Sequence, residues 1–118
     1  MHSQFKLLLP IMNSPLIYVE SCPVCGDGLC RIRVCVQNQR LTGCVLCDEC
    51  EAVWTDPSME QRVSRNQDST DPLCPSCGLS LWDKNAHWAN IGEVCLLGWY
   101  DRVRVVAGSP LYDGFSNR

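Results

Sequence analysis

The chain has 118 residues, a formal net charge of −3 and ten cysteines, which count among its 46% apolar residues. That length allows one compact domain or two very small ones, and the aliphatic content left beside the cysteines is thin for a self-sufficient core. The acidic balance argues against a general nucleic-acid binder, and no run approaches the roughly 18 apolar residues of a membrane-spanning helix.

In chain order, residues 1–15 are broken by Pro10 and Pro15 and read as a loosely ordered lead-in. Leu7-Leu8-Leu9, stopped by Pro10, is too short for a secretory signal, which predicts a cytoplasmic protein. Leu16 to Glu20 reads as a short strand running into Cys22-Pro23-Val24-Cys25-Gly26, where Pro and Gly shape a tight turn. Leu29 to Gln37 then alternates. Cys30, Ile32, Val34 and Val36 share one face, and Arg31, Arg33, Cys35 and Gln37 the other, predicting a half-buried strand. Asn38-Gln39 reads as a turn and Arg40 to Leu46 as the returning strand, with Gly43 as a candidate bulge.

Cys47-Asp48-Glu49-Cys50 is a second knuckle, with Val53 and Trp54 set to pack beside it. Asp56 as cap, Pro57 in the first turn and Glu60 near the positive end predict a helix closing near Ser64. Residues 16–64 thus read as one unit. Arg65 to Pro72 has no apolar residue and reads as a linker over 65–72. A second cysteine-containing, β-rich part over 73–108 opens with Cys74-Pro75-Ser76-Cys77-Gly78. It continues with Trp82 and Trp88 as buried aromatics and strands at Glu93–Tyr100 and Arg102–Ala107. Residues 109–118 form a turn-rich tail. Cys95-Leu96-Leu97-Gly98 echoes Cys44-Val45-Leu46-Cys47, so the second part reads as a degenerate copy of the first.

Pairs of cysteines two residues apart let two thiolates converge on one ion, so this spacing favours metal ligands over disulfides. The fold expected is a small metal-stabilised α+β protein: a β-hairpin zinc ribbon with one short helix, followed by the second part. The first site is Cys22, Cys25, Cys47 and Cys50; Cys44 competes for the fourth place, and Trp54 beyond Cys50 decides for Cys50. For a second ion the candidates are Cys74, Cys77, His87 and Cys95, or one shared site of Cys47, Cys50, Cys74 and Cys77. Cys30 reads as a small buried hydrophobe and Cys35, among arginines, as an exposed thiol. One Zn2+, and a second if that set is complete, is the cofactor expected. Four thiolates on one dication add about −2 to the charge.

No catalytic constellation is present: His2 and His87 are the only histidines, and there is no nucleophile elbow, phosphate loop or His-Glu-x-x-His helix. The chain therefore reads as a non-enzyme without a small-molecule substrate.

The stretch from Cys22-Pro-Val-Cys-Gly to Cys47-Asp-Glu-Cys-Glu-Ala-Val-Trp54 resembles zinc-ribbon proteins. More narrowly, it resembles the small bacterial zinc-ribbon immunity proteins of polymorphic toxin systems. That resemblance implies a cytoplasmic protein that neutralises a cognate secreted toxin, such as a nuclease, by binding it. An acidic face would suit a basic toxin surface, and Asp48, Glu49, Glu51, Asp56 and Glu60 are the residues expected to form it. The alternative is a nucleic-acid-associated ribbon of transcription or RNA processing. It would use Arg31, Arg33, Arg40, Arg102 and Arg104, with Trp54, Trp82 or Trp99 as stacking surfaces.

Overall fold

The computed structural model describes residues 15–64 and 70–107. Most of the lead-in, the linker core at 65–69 and the tail lie outside the described residues. Contacts divide the chain into Ile17–Arg104 and a unit made from the two ends, of which residues 15, 16 and 105–107 are described.

The elements in order are β1 (Leu16–Tyr18), β2 (Glu20–Ser21), β3 (Leu29–Gln37), β4 (Arg40–Cys47), β5 (Val53–Trp54), β6 (Arg62–Val63), β7 (Ala86–Trp88), α1 (Ile91–Leu96), a 3-10 turn at Tyr100–Arg102, and β8 (Arg104–Val106). The protein is a small α+β fold, mostly antiparallel, with β1 and β8 in a two-stranded sheet and the rest in a larger one. That larger sheet runs β2-β3-β4-β5-β6, and β7 also pairs with β3. β2 pairs at the Cys30 end of β3 and β7 at the Cys35 end. No helix among the described residues is long and apolar enough to cross a membrane.

The β3–β4 hairpin organises everything else. Its register runs without interruption from Cys30 opposite Cys47 to Gln37 opposite Arg40, so Gly43 carries no bulge. Gly43 is instead a close approach: a Cβ there would lie 2.6 Å from Leu97 Cδ1 and 3.2 Å from the Trp99 ring. The connecting residues Asn38 and Gln39 have φ of 54° and 63°, the left-handed pair a type I′ hairpin turn requires. Glycine reaches that conformation without the Cβ clash that glutamine meets. Gln39→Gly should therefore raise the unfolding free energy by about 0.5–1 kcal/mol, read from urea unfolding of the protein.

β3 is not half-buried. Ile32, Arg33, Val34 and Cys35 are all buried, because both faces of the hairpin are covered. On the Cys30 face, Ile32, Val34, Val45 and Cys47 pack with Trp54 and with Val94 of α1. On the other face, Cys35, Cys44 and Leu46 pack with Val53, Cys74, Leu81 and Ala86. Each core is thin, and each includes cysteines.

Residues 73–104 do not stand beside the hairpin as a second ribbon. Their strand β7 joins the same sheet, and α1 covers the Cys30 face. Two local expectations need correcting. The residues after Asp56 are not helical: Asp56 Oδ1 accepts from Ser58 N (2.8 Å) and Ser58 Oγ (2.5 Å), Met59 turns left-handed (φ 57°), and the chain returns as β6 against β5. The short helix is instead at Ile91–Leu96, overlapping the first half of the stretch Glu93–Tyr100 read as a strand. Asn90 and Glu93 form a reciprocal capping box there, with Asn90 Oδ1 accepting from Glu93 N at 2.8 Å and Glu93 Oε1 accepting from Asn90 N at 3.0 Å.

Candidate metal centres

The chain folds three of its Cys-x-x-Cys pairs, Cys22/Cys25, Cys47/Cys50 and Cys74/Cys77, alike. In each, the amide four residues after the first cysteine donates back to that cysteine's carbonyl: Gly26 to Cys22 (3.0 Å), Glu51 to Cys47 (3.2 Å) and Gly78 to Cys74 (2.8 Å). The donor residue is left-handed each time, with φ of 75°, 64° and 81°. Glycine suits two of these positions. Glu51 occupies the third, where its carboxylate accepts a 3.0 Å hydrogen bond from Trp82 Nε1. The turns aim amide N–H groups at sulfur: Val24 N lies 3.3 Å from Cys22 Sγ, and Glu49 N and Cys50 N lie 3.3 and 3.4 Å from Cys47 Sγ. Such donors stabilise thiolate over thiol.

Cys22, Cys25, Cys47 and Cys50 bring their sulfurs within 4.8 Å of one another, close enough to hold a metal ion. Cys22 Sγ is 3.8 Å from Cys50 Sγ, and Cys25 Sγ is 3.8 Å from Cys47 Sγ. Sulfurs about 2.3 Å from a tetrahedral ion such as zinc stand about 3.8 Å apart, so these separations are edges of that tetrahedron. A disulfide would need about 2.05 Å, and all ten cysteines are free. The electrostatics suit a cation. Burial pushes the Cys22 thiol up, but the amides of Cys25 and Val24 and the thiols of Cys47 and Cys50 outweigh it and hold Cys22 at about 7. Burial raises Cys47 and Cys50, and their amide donors do not reverse it. The group thus holds one thiolate readily, while Cys47 and Cys50 ionise against a cation.

Cys30 lies beneath this group. Burial first, and the charge of Cys22 and Cys47 second, push its thiol up, so it remains a neutral thiol against the ligands. Gly28 packs directly against the group: a Cβ there would lie 2.6 Å from Cys47 Sγ and 2.8 Å from Glu49 Cβ. Gly28→Ala should weaken metal binding at this centre about tenfold, roughly 1.4 kcal/mol, in a chelator competition. An unchanged affinity would mean that the Cys47 loop yields freely.

The second group is Cys35, Cys74 and Cys77, also within 4.8 Å of one another. It corrects the expected set in two places. His87 is opposite Val34 in the β3–β7 register, whereas Ala86 is opposite Cys35, so strand alternation puts His87 on the other side of the sheet. There its Nε2 pairs with Glu93 Oε2 at 2.8 Å. Cys95 is exposed on α1, which covers that same far face. Cys35 was the residue sequence reasoning missed. Its thiol is buried, not exposed, and burial together with Cys74 and Cys77 pushes it up to about 12. The shared set of Cys47, Cys50, Cys74 and Cys77 does not assemble, since its first two members belong to the first group.

Cys44 falls on the second face, opposite Arg33, with Thr42 opposite Cys35. Thr42 Oγ1 is 3.7 Å from Cys74 Sγ. For the first centre, the choice of Cys50 over Cys44 thus follows from strand parity.

The expected acidic patch is divided. Asp48 is buried, accepts from Leu29 N at 2.9 Å and lies 3.8 Å from Arg31 Nη1. Glu51 is engaged with Trp82, and Asp56 with Ser58. Glu49 and Glu60 are exposed. The arginines divide too. Arg31 sits 4.4 Å from the Trp88 ring centre, and Arg33 lies 4.8 Å from both Trp82 and Trp88. Arg40, Arg102 and Arg104 are exposed, while Trp54 is buried and Trp99 half-buried.

Comparison with protein-family models, curated proteins and solved structures returned no match to this chain.

Proposed function

We propose that Cys22, Cys25, Cys47 and Cys50 hold a structural zinc ion and that the protein works by binding another protein. The observation that carries the metal assignment is the pair of 3.8 Å sulfur separations, the edge length of a four-thiolate zinc tetrahedron. Four thiolates fill that tetrahedron and leave no position for water, so the ion's role is to hold the surface around it. A reducing compartment, the cytoplasm, would keep ten thiols available to metal.

What supports an acidic, partner-facing surface is local. Asp27 and Glu49 are exposed beside the first centre, where Gly28 lies against Glu49, and the tip of the first knuckle exposes Val24. A partner with a basic surface fits this rim, and in its specific form the reading makes the chain an immunity protein that covers a cognate toxin. The resemblance of Cys22–Trp54 to zinc-ribbon immunity proteins supports that form. With Arg31 and Arg33 stacked on tryptophans, a nucleic-acid reading would rest on Arg40, Arg102 and Arg104 against a net charge of −3.

The test is calorimetric titration of the zinc-loaded protein with candidate nuclease toxin domains of basic surface. A 1:1 complex whose association slows with salt and with Glu49→Lys is the expected result. Absence of a complex would sink the immunity reading, and tighter binding to single-stranded RNA than to protein would replace it.

A further inference from the structure

The second cysteine group is built like a metal centre but has three members where the first has four. Its knuckle repeats the first one closely: Gly78 donates to Cys74 O at 2.8 Å, and Cys74 N donates to Leu79 O at 2.8 Å. Backbone donors from Cys77 and Ser76, with the Thr42 hydroxyl, offset the burial of Cys74 and bring its thiol below its ordinary value, as the equivalent donors do for Cys22. A knuckle of this kind presents two sulfurs to an ion, and the hairpin must supply the others.

The hairpin has two cysteines on that face. Cys35 is already in the group, and Cys44 lies one diagonal step from it, two residues along β4 from Thr42, which is Cys35's direct partner. Cys44 is 0% exposed, and the residues whose charge acts on its thiol are Cys74, Cys35, Cys77 and Arg33. Cys30 on the other face is equally buried, but it lies behind a group that already has four sulfurs. Cys44 lies beside a group that has three.

Arg33 supplies an independent indication. Its side chain is buried at 6% exposure between Trp82 and Trp88, and its Nε donates to Leu81 O at 2.8 Å. Among the described residues no carboxylate pairs with it. A buried cation calls for an anion, and of the ionisable groups acting on Arg33 on this face, Cys35 and Cys44 can become anions whereas Arg31 is a second cation. As neutral thiols they leave the guanidinium uncompensated. As ligands of a dication they form an anionic centre of net charge about −2 beside it.

We propose that Cys35, Cys74 and Cys77, completed by Cys44, hold a second thiolate-bound zinc ion on the hairpin face opposite the first centre, with Arg33 as its counter-ion. The β3–β4 hairpin then lies between two ions. The two cores share this one pair of strands, and each is closed by a metal.

Binding is a ligand exchange in which four S–H protons are released and four zinc–sulfur bonds form, with no redox step. The test is cadmium-113 NMR of the full chain reconstituted with cadmium under reducing conditions, with zinc stoichiometry from native mass spectrometry. Two ions per chain and two resonances, both in the four-thiolate region, are expected. Cys44→Ser should shift one resonance to the three-thiolate region and leave the other in place. One ion per chain, a second resonance already in the three-thiolate region of the unmodified protein, or two unchanged resonances in Cys44→Ser would each overturn the assignment. If Cys44→Ser does not fold, the unmodified spectrum decides alone. Arg33→Met should release the second ion to chelator at least tenfold more readily than Arg33→Lys, with the first ion unaffected; equal release would remove Arg33 as counter-ion.

Discussion

Replacing Cys47 by serine should abolish the cooperative unfolding of Ile17–Arg104 together with metal binding by the Cys22, Cys25, Cys47 and Cys50 group. Cys47 ends β4, belongs to the core on the Cys30 face, and supplies the sulfur that accepts from two amides. Two thin cores are a weak basis for stability in a unit of this size. Structural zinc contributes roughly 10–16 kcal/mol in small metal-dependent folds, as much as a whole domain's stability of about 5–15 kcal/mol. Chelation of the intact protein should have the same effect. Far-UV circular dichroism and amide dispersion in proton NMR read both. The control is Cys95→Ser, whose thiol is exposed on α1 and which should retain its fold and metal. A cooperative transition surviving in Cys47→Ser would mean that apolar packing alone holds the sheet.

Arg33→Ala is the second substitution expected to have a large effect, about 3 kcal/mol in urea unfolding of the metal-loaded protein. The guanidinium sits 4.8 Å from the centres of two tryptophan rings that meet edge-on at 6.1 Å, and it donates to Leu81 O at 2.8 Å. Each desolvated cation–π contact is worth about 1–2 kcal/mol, and a charged hydrogen bond about 1.5–3 kcal/mol, against which the cost of burying the charge must be set. Burial pulls the Arg33 guanidinium down to about 10, so it stays charged at neutral pH and that cost is constant there. Arg40→Ala, on an exposed residue of the same hairpin, should change stability by less than about 0.5 kcal/mol. A loss below about 1 kcal/mol for Arg33→Ala would show that Trp82 and Trp88 close over the gap.

Much of the hairpin was legible because its signals are local. Alternation from Leu29 to Gln37 is a period-two property of the strand itself, and Asn38-Gln39 lies midway between two such runs. The register then follows by counting outward from the turn, and it carries Cys47 to the Cys30 face and Cys44 away from it. Each knuckle is also local, since the five residues from its first cysteine contain their own left-handed residue and returning amide, a glycine in two knuckles and Glu51 in the third.

The helix was misplaced for a different reason. Asp56-Pro57 is a good helix start, but nothing apolar follows at helical spacing before the chain must return as β6. Asn90 and Glu93 carry a capping box, a helix-start signal that the strand reading of Glu93–Tyr100 passed over. Burial of Val94 against the Cys30 face favours the helix.

By itself, the sequence determined the three knuckles, the hairpin and the two faces of β3, because each depends on residues a few positions apart. It did not determine what covers those faces. Arg31, Arg33 and Cys35 read as a solvated side until β7 and the third knuckle pack over them, a contact between residues some fifty positions apart in the chain. That packing turns Cys35 from a surface thiol into a metal-group member and puts Arg33 between two tryptophans. It also leaves His87 and Cys95 on the far side of the sheet. The physical reason is parity: a strand fixes which residues share a face, while burial of that face is decided by whichever distant segment lowers the free energy by covering it.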